Sequence, residues 1–68
     1  MFPNLKAEMA RNKLTAKAMS GIVGITPESM QNKLVGRTEF RLSEMKTIQS
    51  IFPGCSLEYL FQIEEVTA

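Results

Sequence analysis

The sequence contains no histidine and only one cysteine, Cys55, among its 68 residues. Zinc sites and Ser-His or Cys-His nucleophile pairs need these residue types, so both kinds of chemistry are nearly excluded. A lone cysteine cannot form an internal disulfide, which is typical of a protein in a reducing cytosol. We therefore expect no enzyme activity and no cofactor or metal, and we interpret Cys55 as a small, partly buried turn residue.

Long apolar runs are also missing. No stretch approaches the roughly 18 apolar residues that a membrane span needs, and the first residues lack the charged and then apolar pattern of a signal peptide. The composition, 44% hydrophobic and 22% charged, is that of a small globular domain. We expect a cytoplasmic protein with no membrane partner and no small-molecule substrate. One domain is expected over residues 1–62, with residues 63–68 as a disordered tail.

Charge is nearly balanced overall, at +1, but it is unevenly distributed along the chain. Residues 11–41 carry six basic and two acidic side chains, for a net +4, whereas residues 42–68 carry one basic and four acidic, for a net −3. A one-sided basic surface is typical of a module that binds phosphates. Within the basic half, Arg37 and Arg41 flank Phe40 and can reach phosphates; free surface charge is the alternative interpretation.

Residues 14–37 are the stretch around which the chain is organised, and they predict two short helices joined by a tight turn. Thr15 can cap the first helix, and Gly24 can end it because glycine readily adopts left-handed backbone. Thr26 can cap the second helix, where Pro27 takes the first position and lacks only an N–H that would be unpaired anyway. Two helices joined by a three- to four-residue turn containing glycine form a helix-turn-helix.

Apolar periodicity predicts further helices on both sides of this stretch and no strand. The predicted helices cover residues 3–12, 15–23, 27–35, 42–52 and 56–61. Their expected core-facing residues are Phe2, Leu5, Met9, Ala18, Met19, Ile22, Val23, Met30, Leu34, Leu42, Met45, Ile48 and Phe52. Gly36 is expected to end the third helix, and Phe40 to fold back onto the core. The sequence therefore predicts an all-α fold, a compact five-helix bundle.

The third predicted helix has a polar strip on its outer face. Glu28, Gln31 and Asn32 lie on this strip, with Lys33 to one side. Carboxamides can pair with the edge of adenine, and a carboxylate can accept a hydrogen bond from the amino group of cytosine. An ordinary solvated helix face is the other interpretation of the same side chains.

Four segments make the chain similar to a known family: Leu14-Thr15, the Gly24-Ile25-Thr26 turn, the Met30…Leu34-x-Gly36 pattern, and Ser56-Leu57-Glu58-Tyr59-Leu60-Phe61. Over residues 4–62 the sequence resembles the Cro and repressor family of phage helix-turn-helix proteins, also called the Xre family. The resemblance implies a lambda repressor-like DNA-binding domain. It further implies a phage or prophage transcription regulator, often dimeric, located in the bacterial cytosol or nucleoid.

The resemblance also implies a set of DNA-contacting residues, with the third predicted helix in the major groove. The positions that read bases are here Pro27, Glu28, Gln31 and Asn32. Together with the charge pattern, the resemblance assigns phosphate contacts to Thr15, Lys17, Thr26, Lys33, Arg37 and Arg41. The expected partners are double-stranded DNA with a palindromic operator and a second copy of the chain, bound through Tyr59, Leu60 and Phe61.

The sequence departs from the family pattern in three places, of which Pro27 and Glu28, together with the near-neutral net charge, favour a second hypothesis. Ala16 and Lys17 stand where the family often has a glutamine that holds a phosphate, and the third helix starts with Pro27 and Glu28 instead of a polar donor. The alternative is a protein-interaction module on the same fold that binds a repressor or another partner, as an antirepressor does, since fold does not fix function. Salt-dependent retention on heparin would favour DNA binding over this alternative.

Overall fold

The computed structural model describes residues 1–63, and within that range the chain is all-helical, as the sequence predicts. The five helices are α1 (Pro3–Arg11), α2 (Ala16–Val23), α3 (Pro27–Leu34), α4 (Leu42–Ile51) and α5 (Leu57–Leu60). Each is one residue shorter than predicted at one or both ends, because a capping residue lies just outside the helix. None of these helices is long and apolar enough to cross a membrane. The predicted tail lies outside the described residues except for Ile63, which is exposed.

A single hydrophobic core joins the helices. Its fully or nearly buried members are Leu5, Met9, Met19, Met30, Leu34, Ile48, Phe52 and Leu60. α2 packs against α3 and α4, while α5 packs against α1 and α4. Because no helix of this length is stable alone in water, the shared apolar core is what keeps all five helices formed.

Three phenylalanines close one end of the core. Phe2, Phe40 and Phe61 pack edge to face in a triangle, with ring centroids 5.1 to 5.8 Å apart. This geometry is the favoured one for aromatic pairs and adds about 0.5–1.5 kcal/mol per pair beyond area burial. The predicted folding back of Phe40 is confirmed, and the triangle ties the start of the chain and the α3–α4 loop to the end of α5.

Three residues predicted in the core lie on the surface instead. Ala18 and Ile22 are exposed on α2, and Leu42 is 60% exposed at the start of α4. In α2 the small side chain of Ser20 is buried beside Met19, and helix periodicity did not distinguish this side from the one that bears Ile22. Leu42 is the first residue of α4, and the first buried residue of that helix is Ile48, six residues later.

Candidate nucleic-acid interface

The α2–α3 segment is built by local signals that the sequence predicted correctly. The Thr15 hydroxyl accepts a hydrogen bond from the Ala18 N–H at 3.1 Å, and the Thr26 hydroxyl accepts one from the Ser29 N–H at 3.1 Å. Gly24 ends α2 with a left-handed backbone (φ +88°), so the turn between the helices is three residues long. Each cap satisfies a backbone donor that the helix itself leaves unpaired.

α3 presents one face to the core and the opposite face to solvent. Met30 and Leu34 are buried on its inner side. Just past its end, Gly36 adopts a left-handed backbone (φ +88°) that allows the chain to turn back, and the Arg37 N–H donates to the Asn32 carbonyl at 2.9 Å. Among the helices, only α2 has Cα atoms within 8 Å of those of α3. The outer face of α3 is therefore left uncovered by the other helices.

The four residues assigned to base contact are all on α3 and close to this outer face. Pro27, Glu28 and Gln31 are exposed, and Asn32 is half-buried. Thr15, Lys17 and Thr26 are exposed at the starts of α2 and α3, and Arg37 and Arg41 are exposed on the following loop. We find no ion pair for Lys17, Arg37 or Arg41 within residues 1–63, so their charges face solvent.

The structure gives Lys33 a different role from the one that its charge predicted. Its ammonium lies 3.4 Å from a Glu44 carboxylate oxygen and donates to the Glu39 carbonyl at 2.9 Å. Both charged side chains are largely buried, at 14% and 12% exposed. Because its ammonium is already engaged by the Glu39 carbonyl and the Glu44 carboxylate, we omit Lys33 from the candidate interface. Nothing in the spacing of Lys33 and Glu44 indicates this pairing, because they lie on different helices.

Glu44 is the centre of this small polar network. The Arg41 backbone N–H donates to its carboxylate at 2.8 Å, which caps the start of α4. This hydrogen bond is the main reason why the Glu44 pKa lies below its ordinary value. Partial burial acts in the opposite direction and raises the pKa, whereas the Lys33 ammonium lowers it further. The network therefore adds a charged contact between α3 and the beginning of α4 to the apolar core that both helices share.

A second surface that sequence reasoning missed lies between α1, the start of α2 and α3. It is an open groove of about 280 Å³, lined by Lys6, Met9, Ala10, Leu14, Ala16, Gln31 and Leu34. Gln31 thus lines a groove that α1 also lines, and Lys6 is an exposed cation on the same groove. In the sequence, Lys6 and Ala10 are four residues apart, which marks one face of α1 but does not indicate that this face borders a groove shared with α3.

The C-terminal helix is held by a buried carboxylate that sequence reasoning also missed. Glu8 is 8% exposed, accepts a hydrogen bond from the Tyr59 hydroxyl at 3.0 Å, and lies 3.4 Å from the Arg11 guanidinium. Donation to Glu8 raises the Tyr59 pKa. Burial is the main reason why the pKa of the nearby Cys55 thiol is raised. As predicted, Cys55 is a half-buried turn residue.

The apolar patch predicted as a dimer contact is not intact on the surface. Leu60 is 0% exposed in the core, and Phe61 is half-buried in the aromatic triangle. Tyr59 alone of the three is exposed, at 36%. The Ser-Leu-x-x-Leu spacing did not reveal this, because a four-residue helix offers too few positions to separate an inner from an outer side.

Comparison with known proteins assigns no family. No family model matches the chain, and neither the curated proteins nor the solved structures include a significant match.

Proposed function

We propose that the chain binds double-stranded DNA in a sequence-specific manner, as a small transcription regulator of the Cro and repressor type. One observation carries the proposal: α3 is attached to the rest of the domain by its inner face, while its outer face, with Glu28 and Gln31, is free. A helix of this diameter fits the DNA major groove, which is about 12 Å wide. The exposed cations Lys17, Arg37 and Arg41 lie on the same segment or just after it.

The proposed arrangement places the start of α3 against base edges and the start of α2 against the phosphate backbone. Amide side chains at Gln31 and Asn32 supply both donors and acceptors, so they can distinguish base pairs. We propose a symmetric dimer with recognition helices about 34 Å apart, which requires a palindromic operator. Of the residues predicted for the subunit contact, Leu60 is buried, Phe61 is half-buried and Tyr59 is exposed, so Tyr59 is the most accessible candidate.

A test of the whole proposal is selection from a random duplex pool, with binding measured at two salt concentrations. Enrichment of a palindrome, bound more weakly as salt rises, supports a dimeric DNA reader. A folded protein that enriches no sequence contradicts sequence-specific binding.

Replacing Gln31 or Asn32 by Ala is expected to weaken binding to the selected operator by about 1–3 kcal/mol and to relax its sequence preference. Each substitution removes an amide that can pair with a base edge while the backbone of α3 is kept. Fluorescence anisotropy on operator and scrambled duplexes measures both effects. Gln62→Ala is the matched control, since Gln62 is exposed at the other end of the chain. An equal loss on both duplexes would refute the assignment of base readout.

Arg37→Ala is expected to weaken binding to all duplexes alike and to reduce the slope of log affinity against log salt by about 1. The guanidinium is exposed just after α3 and contacts the backbone rather than a base in the proposed complex. Titrations at four salt concentrations measure the slope. A loss confined to the operator would instead make Arg37 a base-reading residue.

A second candidate function is recognition of a protein by the same fold. Two observations favour it: the exposed apolar side chains Ile22 and Leu42, and the engagement of Lys33 inside the domain. Loading the folded protein on heparin and on a duplex column distinguishes the candidates. Retention on neither, together with a stable complex with a repressor protein, would favour the protein-interaction module.

A further inference from the structure

We infer that Lys6 on α1 extends the DNA-binding surface, binding a backbone phosphate beside the base-reading residues. This inference rests on the proposed function and adds to it a contact from a helix outside the α2–α3 segment. The observation behind it is the groove that Lys6 shares with Gln31 and with Ala16 at the start of α2.

The groove joins Gln31, a proposed base-reading residue, to the start of α2. Gln31 lies on one wall, on α3, and Ala16 begins α2, whose first backbone N–H groups follow the Thr15 cap. When α3 occupies the major groove of a duplex, the walls of that groove are the two phosphate backbones. A DNA strand that passes the start of α2 beside Gln31 therefore passes the protein groove, which Lys6 also lines.

The chemistry of the groove suits a phosphate at its rim rather than a ligand inside it. Apart from Lys6 and Gln31, its lining is apolar, from Met9, Leu14 and Leu34 among others. Low-dielectric walls strengthen the field of a nearby charge. Lys6 is exposed and has no ion-pair partner among residues 1–63, so its ammonium is available to a phosphate oxygen.

Lys6→Ala tests the inference, with Lys46→Ala as its matched control. Both lysines are exposed in the middle of a helix, but Lys46 lies on α4 and outside this groove. Alanine favours a helix, so both variants are expected to fold, and circular dichroism checks this. Affinity for a mixed-sequence duplex of about 20 base pairs, two turns of B-DNA, is measured at several salt concentrations.

Loss of one phosphate contact reduces the salt slope by about 0.9 and, at roughly 0.1 M salt, weakens binding about eightfold. We expect this for Lys6→Ala and an unchanged slope for Lys46→Ala. The role of Lys6 would be overturned if the salt slope of Lys6→Ala equalled that of the unmodified protein. It would also be overturned if the slope decreased equally in Lys6→Ala and Lys46→Ala. Either result would leave DNA binding in place. If the unmodified protein itself binds no duplex at low salt, the proposed function fails and the role of Lys6 fails with it.

Discussion

Leu60→Ala is expected to lower the free energy of unfolding by about 2–5 kcal/mol, the usual cost of truncating a fully buried leucine. Leu60 is 0% exposed and is the only fully buried residue of α5. A domain this small has only about 3–5 kcal/mol of stability from its core, so a large fraction of the variant is expected to be unfolded at room temperature. Urea unfolding followed by circular dichroism measures the change.

Leu42→Ala is the matched control for this substitution, because it removes the same atoms from a side chain that is 60% exposed. Its effect is expected to stay within about 0.5 kcal/mol, as for other surface changes. If Leu60 belonged to a subunit contact instead, Leu60→Ala would leave a folded monomer and weaken self-association, which sedimentation at several concentrations detects. That result would contradict its place in the core.

The contrast between Leu42 and Leu60 indicates what can be read from the sequence of such a domain. Both lie in apolar stretches; periodicity assigned Leu42 to the core, whereas Leu60 was predicted to contact a second copy of the chain on the surface. The structure reverses both assignments. At the first residue of a helix, or within a helix of only four residues, burial depends on how the other helices pack around it. No local sequence pattern carries that information.

Features determined by neighbouring residues were predicted well. The caps at Thr15 and Thr26 and the left-handed glycines Gly24 and Gly36 were all placed correctly, because each depends on residues within about four positions. The all-α class follows from the same signals. DNA binding itself stays a prediction, carried by the polar face of α3 and by the family resemblance.

Interactions between distant residues were not predicted. The Glu8–Tyr59 hydrogen bond joins positions 51 residues apart. The Lys33–Glu44 ion pair joins α3 to α4, and Lys6 and Gln31 line one groove although they lie on α1 and α3. A lysine on a helix surface has the same sequence signature whether its ammonium faces solvent, a phosphate or a carboxylate. The difference between Lys6 and Lys33 is therefore visible only in the folded chain.

Lys33→Met is expected to destabilise the fold by about 1–3 kcal/mol at neutral pH. The substitution leaves the partly buried Glu44 carboxylate, 12% exposed, without its ammonium partner. The cost therefore lies between the roughly 0–1 kcal/mol of an exposed pair and the about 3–5 kcal/mol of breaking a fully buried one. We expect the lower part of the range, since the Arg41 N–H still donates to Glu44. Lys46→Met is the control, because it makes the same change on an exposed side chain of α4 and is expected to alter stability little.

The pH dependence identifies the ion pair as the cause. The folded state lowers the Glu44 pKa below its ordinary value of 4.5, so the ionised carboxylate stabilises the fold above that pH. This stabilisation is lost as the pH falls through the lowered pKa, because protonated Glu44 accepts the Arg41 N–H hydrogen bond less strongly and no longer attracts Lys33. The stability difference between Lys33→Met and the unmodified protein should therefore shrink on acidification, as urea unfolding at a series of pH values measures.

The same variant separates the two roles considered for Lys33. If its ammonium holds α3 against α4, Lys33→Met loses stability, and under conditions where it remains folded the slope of log affinity against log salt for duplex DNA is unchanged. If Lys33 binds a phosphate, the slope falls by about 1 and stability changes little. The Glu39 carbonyl and the Glu44 carboxylate, which both bind the ammonium in the folded chain, favour the first result. Orientation of α3, and with it of Gln31, would then depend on a charged contact that acid removes.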